Sequence, residues 1–230
     1  MPFELVNQSQ TPSLDFSKKF DRVSRLPIYE MISAWGNYEF VIVGIGGIGF
    51  HVAKAIAQTL DEPRLILVDR EMLEEENLNR FDVDVSWVGT PKVDVASQII
   101  AMLNPSAKIT TYNADFRDVK NNLNADSYTV IIDEVDSASV SREIYDYAKS
   151  RRTIYVSMKY NGFDRATLYV NEIGFDTGLD NPYEIFPSAY FSAVIFANLL
   201  AYYLFSHYPG EIYEMKLIKN ISLDDILGVD

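Results

Sequence analysis

The chain has 230 residues, with 20 Lys and Arg against 33 Asp and Glu, a formal net charge of −13 and no cysteine. Hydrophobic residues make up 48% and charged residues 23%, the balance of a globular protein able to bury a sizeable core. The acidic excess argues against a general nucleic-acid or anionic-membrane binder, and the missing thiols exclude disulfides, a cysteine zinc site, a cysteine nucleophile and a persulfide carrier.

The first residues, Met1-Pro-Phe-Glu-Leu-Val-Asn-Gln, lack the basic flank and apolar core of a signal peptide, so a cytoplasmic location is expected. Residues 1–38 read as an N-terminal arm with helices. Residues 1–13 are polar, residues 14–35 carry helical spacing, and Pro27 is placed to open a second helix. Residues 39–230 read as a single domain. Residues 40–43 are a short apolar run, as in a strand buried on both faces.

Gly44-Ile-Gly-Gly-Ile-Gly49 follows, and Gly44, Gly46 and Gly49 fit the G-x-G-x-x-G spacing. That pattern supplies a tight turn, a close approach of backbone to a phosphate and close helix–strand packing, while the next helix aims its free N–H groups at the phosphate. Residues 65–69 read as a second strand ending in Asp69, 20 positions beyond Gly49, where an acid can accept hydrogen bonds from a ribose. An acidic loop and Asn77-Leu-Asn-Arg80 come next, then Gly89-Thr-Pro-Lys92 and a helix over 92–103 that Asn104-Pro105 stops. Strands are predicted over 108–112, 128–133 and 153–157, with helices over 116–123 and 140–149 between them. The alternation predicts an α/β, Rossmann-like fold: a mainly parallel sheet flanked by helices, its strand ends rimming one ligand edge. Beyond it, strands over 166–170 and 211–219 predict an antiparallel extension. The apolar segment 190–205 contains Ser192 and Asn198 and falls short of 18 clean apolar residues, so a buried helix is expected rather than a membrane span.

A glycine fingerprint alone allows a dehydrogenase. Asn77, Arg80 and Lys92 near the same strand edge suit a triphosphate better than a nicotinamide, because a guanidinium forks across phosphate oxygens and an ammonium adds a point charge. Asp133-Glu-Val-Asp136 follows the fourth strand, and either Asp133 or Asp136 is placed to hold Mg²⁺ through one carboxylate. His51 and His207 have no metal-ligand set near them in sequence and read as structural.

These segments, in this order and spacing across about residues 40–137, resemble the E1-like adenylating enzymes, which include the activators of ubiquitin and of sulfur-carrier proteins. The resemblance implies an ATP-dependent adenylyltransferase. A C-terminal carboxylate of a ubiquitin-like or sulfur-carrier protein, or of a peptide, attacks the α-phosphate of ATP, and pyrophosphate leaves. It implies that Gly44, Gly46, Gly47 and Gly49 cradle phosphate and that Asp69 holds the ribose. It assigns phosphate binding to Asn77, Arg80 and Lys92, and Mg²⁺ to Asp136. It also implies a homodimer in which Arg25, of Arg22-Val-Ser-Arg25, reaches the partner's ATP. The departures are the missing catalytic cysteine, the missing Cys-x-x-Cys zinc site, Phe81 where Gln is common and Ser137 where Asn is common. No zinc is expected, and transfer to a thiol of this chain is excluded. The alternative is an inactive nucleotide-binding or scaffold subunit of such a complex.

Overall fold

The computed structural model describes residues 16–161, 163–174 and 189–228. Predictions made for residues 1–15, and for most of the loop before residue 190, lie outside these residues. Among the described residues the strands form one seven-stranded sheet. Its strands are β1 (Glu39–Val43), β2 (Arg64–Val68), β3 (Lys108–Tyr112), β4 (Thr129–Asp133), β5 (Ile154–Tyr160), β6 (Arg165–Val170) and β7 (Leu217–Ser222), in the order β3-β2-β1-β4-β5-β6-β7. The pairs among β3, β2, β1, β4 and β5 are parallel; β6 and β7 add antiparallel. This is the α/β, Rossmann-like sheet with the antiparallel extension the alternation predicted. From β1 the chain runs first toward β3 and then, through β4, the other way. The strand order therefore reverses at β1, which opens a crevice at the C-terminal strand ends.

The helices are α1 (Phe16–Lys19), α2 (Tyr29–Ala34), α3 (Gly47–Thr59), α4 (Lys92–Leu103), α5 (Phe116–Val119), α6 (Ala138–Arg151), α7 (Tyr190–Phe205), α8 (Pro209–Glu214) and α9 (Leu223–Leu227). Alternate side chains of β1 feed two cores. Phe40 and Ile42 join α3, α4 and α7 on one face; Val41 and Val43 join α5 and α6 on the other. This is why β1 and β4 read as unbroken apolar runs. Ala193, Ala197 and Ala201 are buried along α7, which packs chiefly on α3, where a Cβ on Gly47 would come 3.1 Å from Ala193; Phe196, Leu200 and Leu204 fill the core beside them. No described helix is long and apolar enough to cross a membrane. Ile32 and Trp35 also lie in the first core, and Trp35 packs edge-on against Phe205.

Asn104 stops α4 by a specific device. It is fully buried, its Nδ2 donates to the carbonyls of Ala57, Leu60 and Asp61, and its Oδ1 accepts from Ser106 N–H. It thus ties the end of α4 to the end of α3.

Three sequence expectations need correction. The segment predicted as a strand over 211–219 begins as α8. Pro209 stands in its first turn, Glu211 accepts from the Tyr208 N–H at 2.8 Å, and pairing with β6 starts only at Leu217. The short helix predicted over 116–123 ends at Val119 and passes into a 3₁₀ turn. The helix expected to open at Pro27 starts at Tyr29, after a 3₁₀ turn over Val23–Arg25.

Candidate functional site

A cavity of about 680 Å³ lies at the C-terminal ends of the parallel strands. Gly44, Gly46, Gly47, Asp69, Asn77, Arg80, Lys92 and Asp136 all line it. Of the predicted site residues, Gly49 does not line the cavity but packs against the Gly44 carbonyl, and Arg25 lies elsewhere, exposed in its 3₁₀ turn and paired with Asp21 at 2.8 Å.

The glycines divide by what surrounds them. A Cβ on Gly44 (φ +89°) would sit 2.7 Å from the Glu134 backbone, and one on Gly49 would sit 1.9 Å from the Gly44 carbonyl oxygen. Those two are demanded by the protein's own packing. Gly46 is different: a Cβ there would meet nothing within 4 Å. Gly46 is also the N-cap of α3, and no side chain caps that helix. The first-turn N–H groups of a thirteen-residue helix therefore face the cavity, a donor set suited to an anion.

Asp69 pins this loop. Its Oδ2 accepts from Ile45 N–H at 2.6 Å and its Oδ1 from Glu71 N–H at 2.8 Å. Burial pushes its pKa above the ordinary value, against the pull of those N–H groups and of Lys92. After β2, Leu73 N–H donates to Thr90, Gly89 N–H to Leu73 and Lys92 N–H to Glu71. These bonds zip the acidic loop to Gly89-Thr-Pro-Lys92 and set Lys92 at the start of α4. The Lys92 Nζ, on a side chain 7% exposed, donates to Glu71 Oε2 at 2.5 Å. Burial raises the Glu71 pKa, but the Lys92 bond and charge outweigh it and hold the carboxyl below its usual range.

Asn77 is buried and shapes its own turn: its Oδ1 accepts from Glu74 N–H at 3.1 Å, and the Glu74 side chain accepts from the Asn77 N–H in return. Arg80 reaches the cavity with Nη1 donating to Glu76 O and Asn79 Oδ1, both at 2.9 Å. The Arg80 carbonyl meets His51 Nε2 at 3.0 Å. Burial lowers the His51 pKa to about 4, with Lys54 adding to the effect, so His51 is a neutral structural residue. Phe81 stacks on Phe50 at 4.6 Å and Ser137 caps α6, so both departures from the family pattern have packing roles.

The two acids after β4 separate cleanly. Asp133 is fully buried and already accepts from Tyr155 Oη (2.8 Å), Lys159 Nζ (3.1 Å) and Val135 N–H (3.1 Å). Asp136 is exposed at the cavity wall. Among the described residues no three His, Cys, Asp or Glu side chains cluster as a metal cage. Asp136 thus offers one carboxylate at the cavity wall, the kind of contact a Mg²⁺ ion makes when phosphate and water complete its shell.

The profile of the ThiF family matches residues 23–180. The chain belongs to the ThiF family. Among curated ThiF-type relatives, ubiquitin-like modifier-activating enzyme 5 of Oryza sativa subsp. japonica is 32% identical over 98 residues, 43% of this chain and 23% of that protein. The tRNA threonylcarbamoyladenosine dehydratase of Bacillus subtilis (strain 168) is 35% identical over 74 residues, 32% of this chain and 29% of that protein. The chain thus spans less than a third of either relative. In structure it resembles E. coli MccB solved with AMPCPP and MccA, with a TM-score of 0.69, 17% identity and coverage of 90% of this chain and 72% of that one. It also resembles PaaA, with a TM-score of 0.67, 18% identity and coverage of 96% and 75%. These likenesses establish the shared fold.

Three residues at this ThiF-type site are given no role by the sequence motifs. Glu71, in the acidic loop, stands two positions past Asp69. Glu134 lies between Asp133 and Asp136. Its Oε1 accepts from Met158 N–H at 2.9 Å. Burial pushes its carboxyl up to about 8, with Asp133 and Asp136 adding and Lys159 opposing. Lys159, at the end of β5, gave no sequence signal at all.

Proposed function

We propose that the cavity binds Mg-ATP and that the chain adenylates the C-terminal carboxylate of a ubiquitin-like protein, a sulfur carrier or a peptide. The observation that carries this reading is the meeting of an uncapped α3 N-terminus and an open Gly46 with Lys92, Arg80 and an exposed Asp136 in one cavity. Carboxylate and triphosphate are both anions, so the chemistry needs alignment and charge neutralisation more than a nucleophile from the protein. The α3 N–H groups and the backbone at Gly46 bind phosphate oxygens, and Arg80 and Lys92 offset charge as it builds on the phosphates. Releasing those two side chains from Glu76, Asn79 and Glu71 accompanies binding. Asp136 holds Mg²⁺, which draws electron density from the phosphate oxygens when bound. A substrate carboxylate oxygen bonds to the α-phosphorus, the bond from that phosphorus to the β-phosphate bridging oxygen breaks, and that electron pair leaves with pyrophosphate. With no cysteine in the chain, the acyl-adenylate passes to another protein or to an amine or sulfide nucleophile.

The substrate class follows the relatives' names: one activates a ubiquitin-like modifier, and MccB was solved with MccA. We further propose a cytoplasmic homodimer in which Arg25 of one copy serves the other's site. ATP–pyrophosphate exchange with candidate carboxylate substrates tests the reading. Exchange that Arg80→Ala or Asp136→Ala lowers about 10²-fold or more supports it. ATP binding without exchange for any candidate favours the scaffold reading, and tight NADH binding without ATP binding removes both. Light scattering showing a fully active monomer removes the role of Arg25 in trans.

A further inference from the structure

The β4–β5 register ends at the pair Ile132 and Val156, beyond which β5 continues paired with β6 and the cavity opens. Two side chains span the gap between β4 and β5. Glu134 Oε1 accepts from Met158 N–H, and the Lys159 ammonium takes the oxygens on the β4 side. Lys159 Nζ donates to Asp133 O at 3.0 Å, to Asp133 Oδ1 at 3.1 Å and to Val135 O at 2.6 Å. Two backbone carbonyls and a carboxylate converging on one point are the ligand set of a hard cation. Here the cation is covalently attached. Its side chain is 11% exposed and the Asp133 side chain 0%, so the pair is shielded from solvent.

We propose that Lys159 is a positioning residue acting as a resident cation: its ammonium fills the oxygen niche at the end of β4 and holds the following turn so that Asp136 faces the cavity. The proposal rests on the reading of Asp136 as the metal acid. It also explains why Asp133 takes no part: its carboxylate is consumed by Lys159, Tyr155 and the Val135 N–H, which leaves Asp136 as the acid available to Mg²⁺. A chamber of about 20 Å³ adjoins Lys159 on the α6 side, where Ser141 and Ser157 also line it. Truncating Lys159 to alanine joins this space to the Asp133 and Val135 oxygens and makes room beside them for a small ammonium ion.

The test compares the full chain with Lys159→Met and Lys159→Ala. Methionine fills the space without charge; alanine opens the niche. Two readouts are followed: thermal unfolding of the protein alone, and the Mg²⁺ concentration giving half the stabilisation by ATP. Lys159→Met is expected to raise that Mg²⁺ concentration by about 10-fold or more. Lys159→Ala is expected to regain thermal stability with methylammonium or ethylammonium, and not with tetramethylammonium at equal ionic strength. The wild type is expected to respond to all three alike. A Met variant matching wild type in both readouts overturns the proposal, as does an Ala variant that responds equally to every ammonium salt. If Lys159→Ala aggregates, it is refolded in each salt; recovery confined to the small ions supports the proposal, and equal recovery in all of them overturns it. The ammonium arm needs no nucleotide. A wild type that ignores Mg-ATP therefore defeats the adenylation reading while leaving the resident cation to be judged by unfolding.

Discussion

Gly46→Ala separates what the glycine loop does for the fold from what it does for a ligand. The new methyl meets nothing within 4 Å, and Gly46 has φ −85° and ψ −156°, a backbone shape open to alanine. Restricting the unfolded chain stabilises by about 0.4–1 kcal/mol. Alanine is the poorer N-cap by a similar amount, so the two terms nearly cancel. At roughly 2–4 °C per kcal/mol for a chain of this size, thermal unfolding should move by no more than about 4 °C. Gly49→Ala is the control: its methyl would lie 1.9 Å from the Gly44 carbonyl oxygen and forces the loop off the helix, with a loss of several kcal/mol. The ligand readout runs the other way. Saturation at about 100 times Kd stabilises the wild type by about 2.7 kcal/mol. A methyl placed where phosphate meets backbone should remove at least a tenfold factor in affinity, about 1.4 kcal/mol of that. Differential scanning fluorimetry with and without Mg-ATP reads both effects. A Gly46→Ala variant that keeps the full ATP-induced shift refutes the placement of phosphate at Gly46.

Two further predictions concern the frame of the site. His51 is buried with its pKa lowered to about 4 by burial and by Lys54. Between about pH 4 and the ordinary value of 6.5 the unfolded chain binds more protons than the folded one. Stability tied to His51 is therefore full above pH 6.5 and is lost as pH falls through that window, by up to about 3 kcal/mol. Urea unfolding across this range should show that slope, and His51→Gln, which keeps a donor for the Arg80 carbonyl, should flatten it. Asn104→Ala leaves the buried carbonyls of Ala57 and Leu60, and the part-buried one of Asp61, without their shared donor and should destabilise by about 2–4 kcal/mol. A loss under about 0.5 kcal/mol in urea titration would mean that these carbonyls find other partners.

The sheet and most of its ligand edge were legible because the signals are local. An apolar run of four residues, a glycine spacing and an acid at a strand end constrain backbone within one βαβ unit, and α4, β3 and α7 fall on their predicted bounds. The segment 211–219 misled because apolar spacing is ambiguous over so short a span, and Pro209 with Glu211 settles it as a helix start before β7 can pair.

What the sequence by itself determined is the fold class, the family and the residues Gly44, Gly46, Asp69, Arg80, Lys92 and Asp136 as neighbours at one edge. Only tertiary structure decided which of them are free to act. The family resemblance already favours Asp136 over Asp133, but only the fold supplies the physical reason: burial under Tyr155 and Lys159 makes Asp133 a structural anchor and leaves Asp136 facing the cavity. Lys159 shows the same principle most plainly. It lies 26 residues from Asp133, no periodicity marks it, and its role exists only because β5 lies beside β4 and reaches past the end of their shared ladder. Local pattern fixes backbone, but charge compensation across a sheet depends on which strands become neighbours, and that is settled only when the chain has folded.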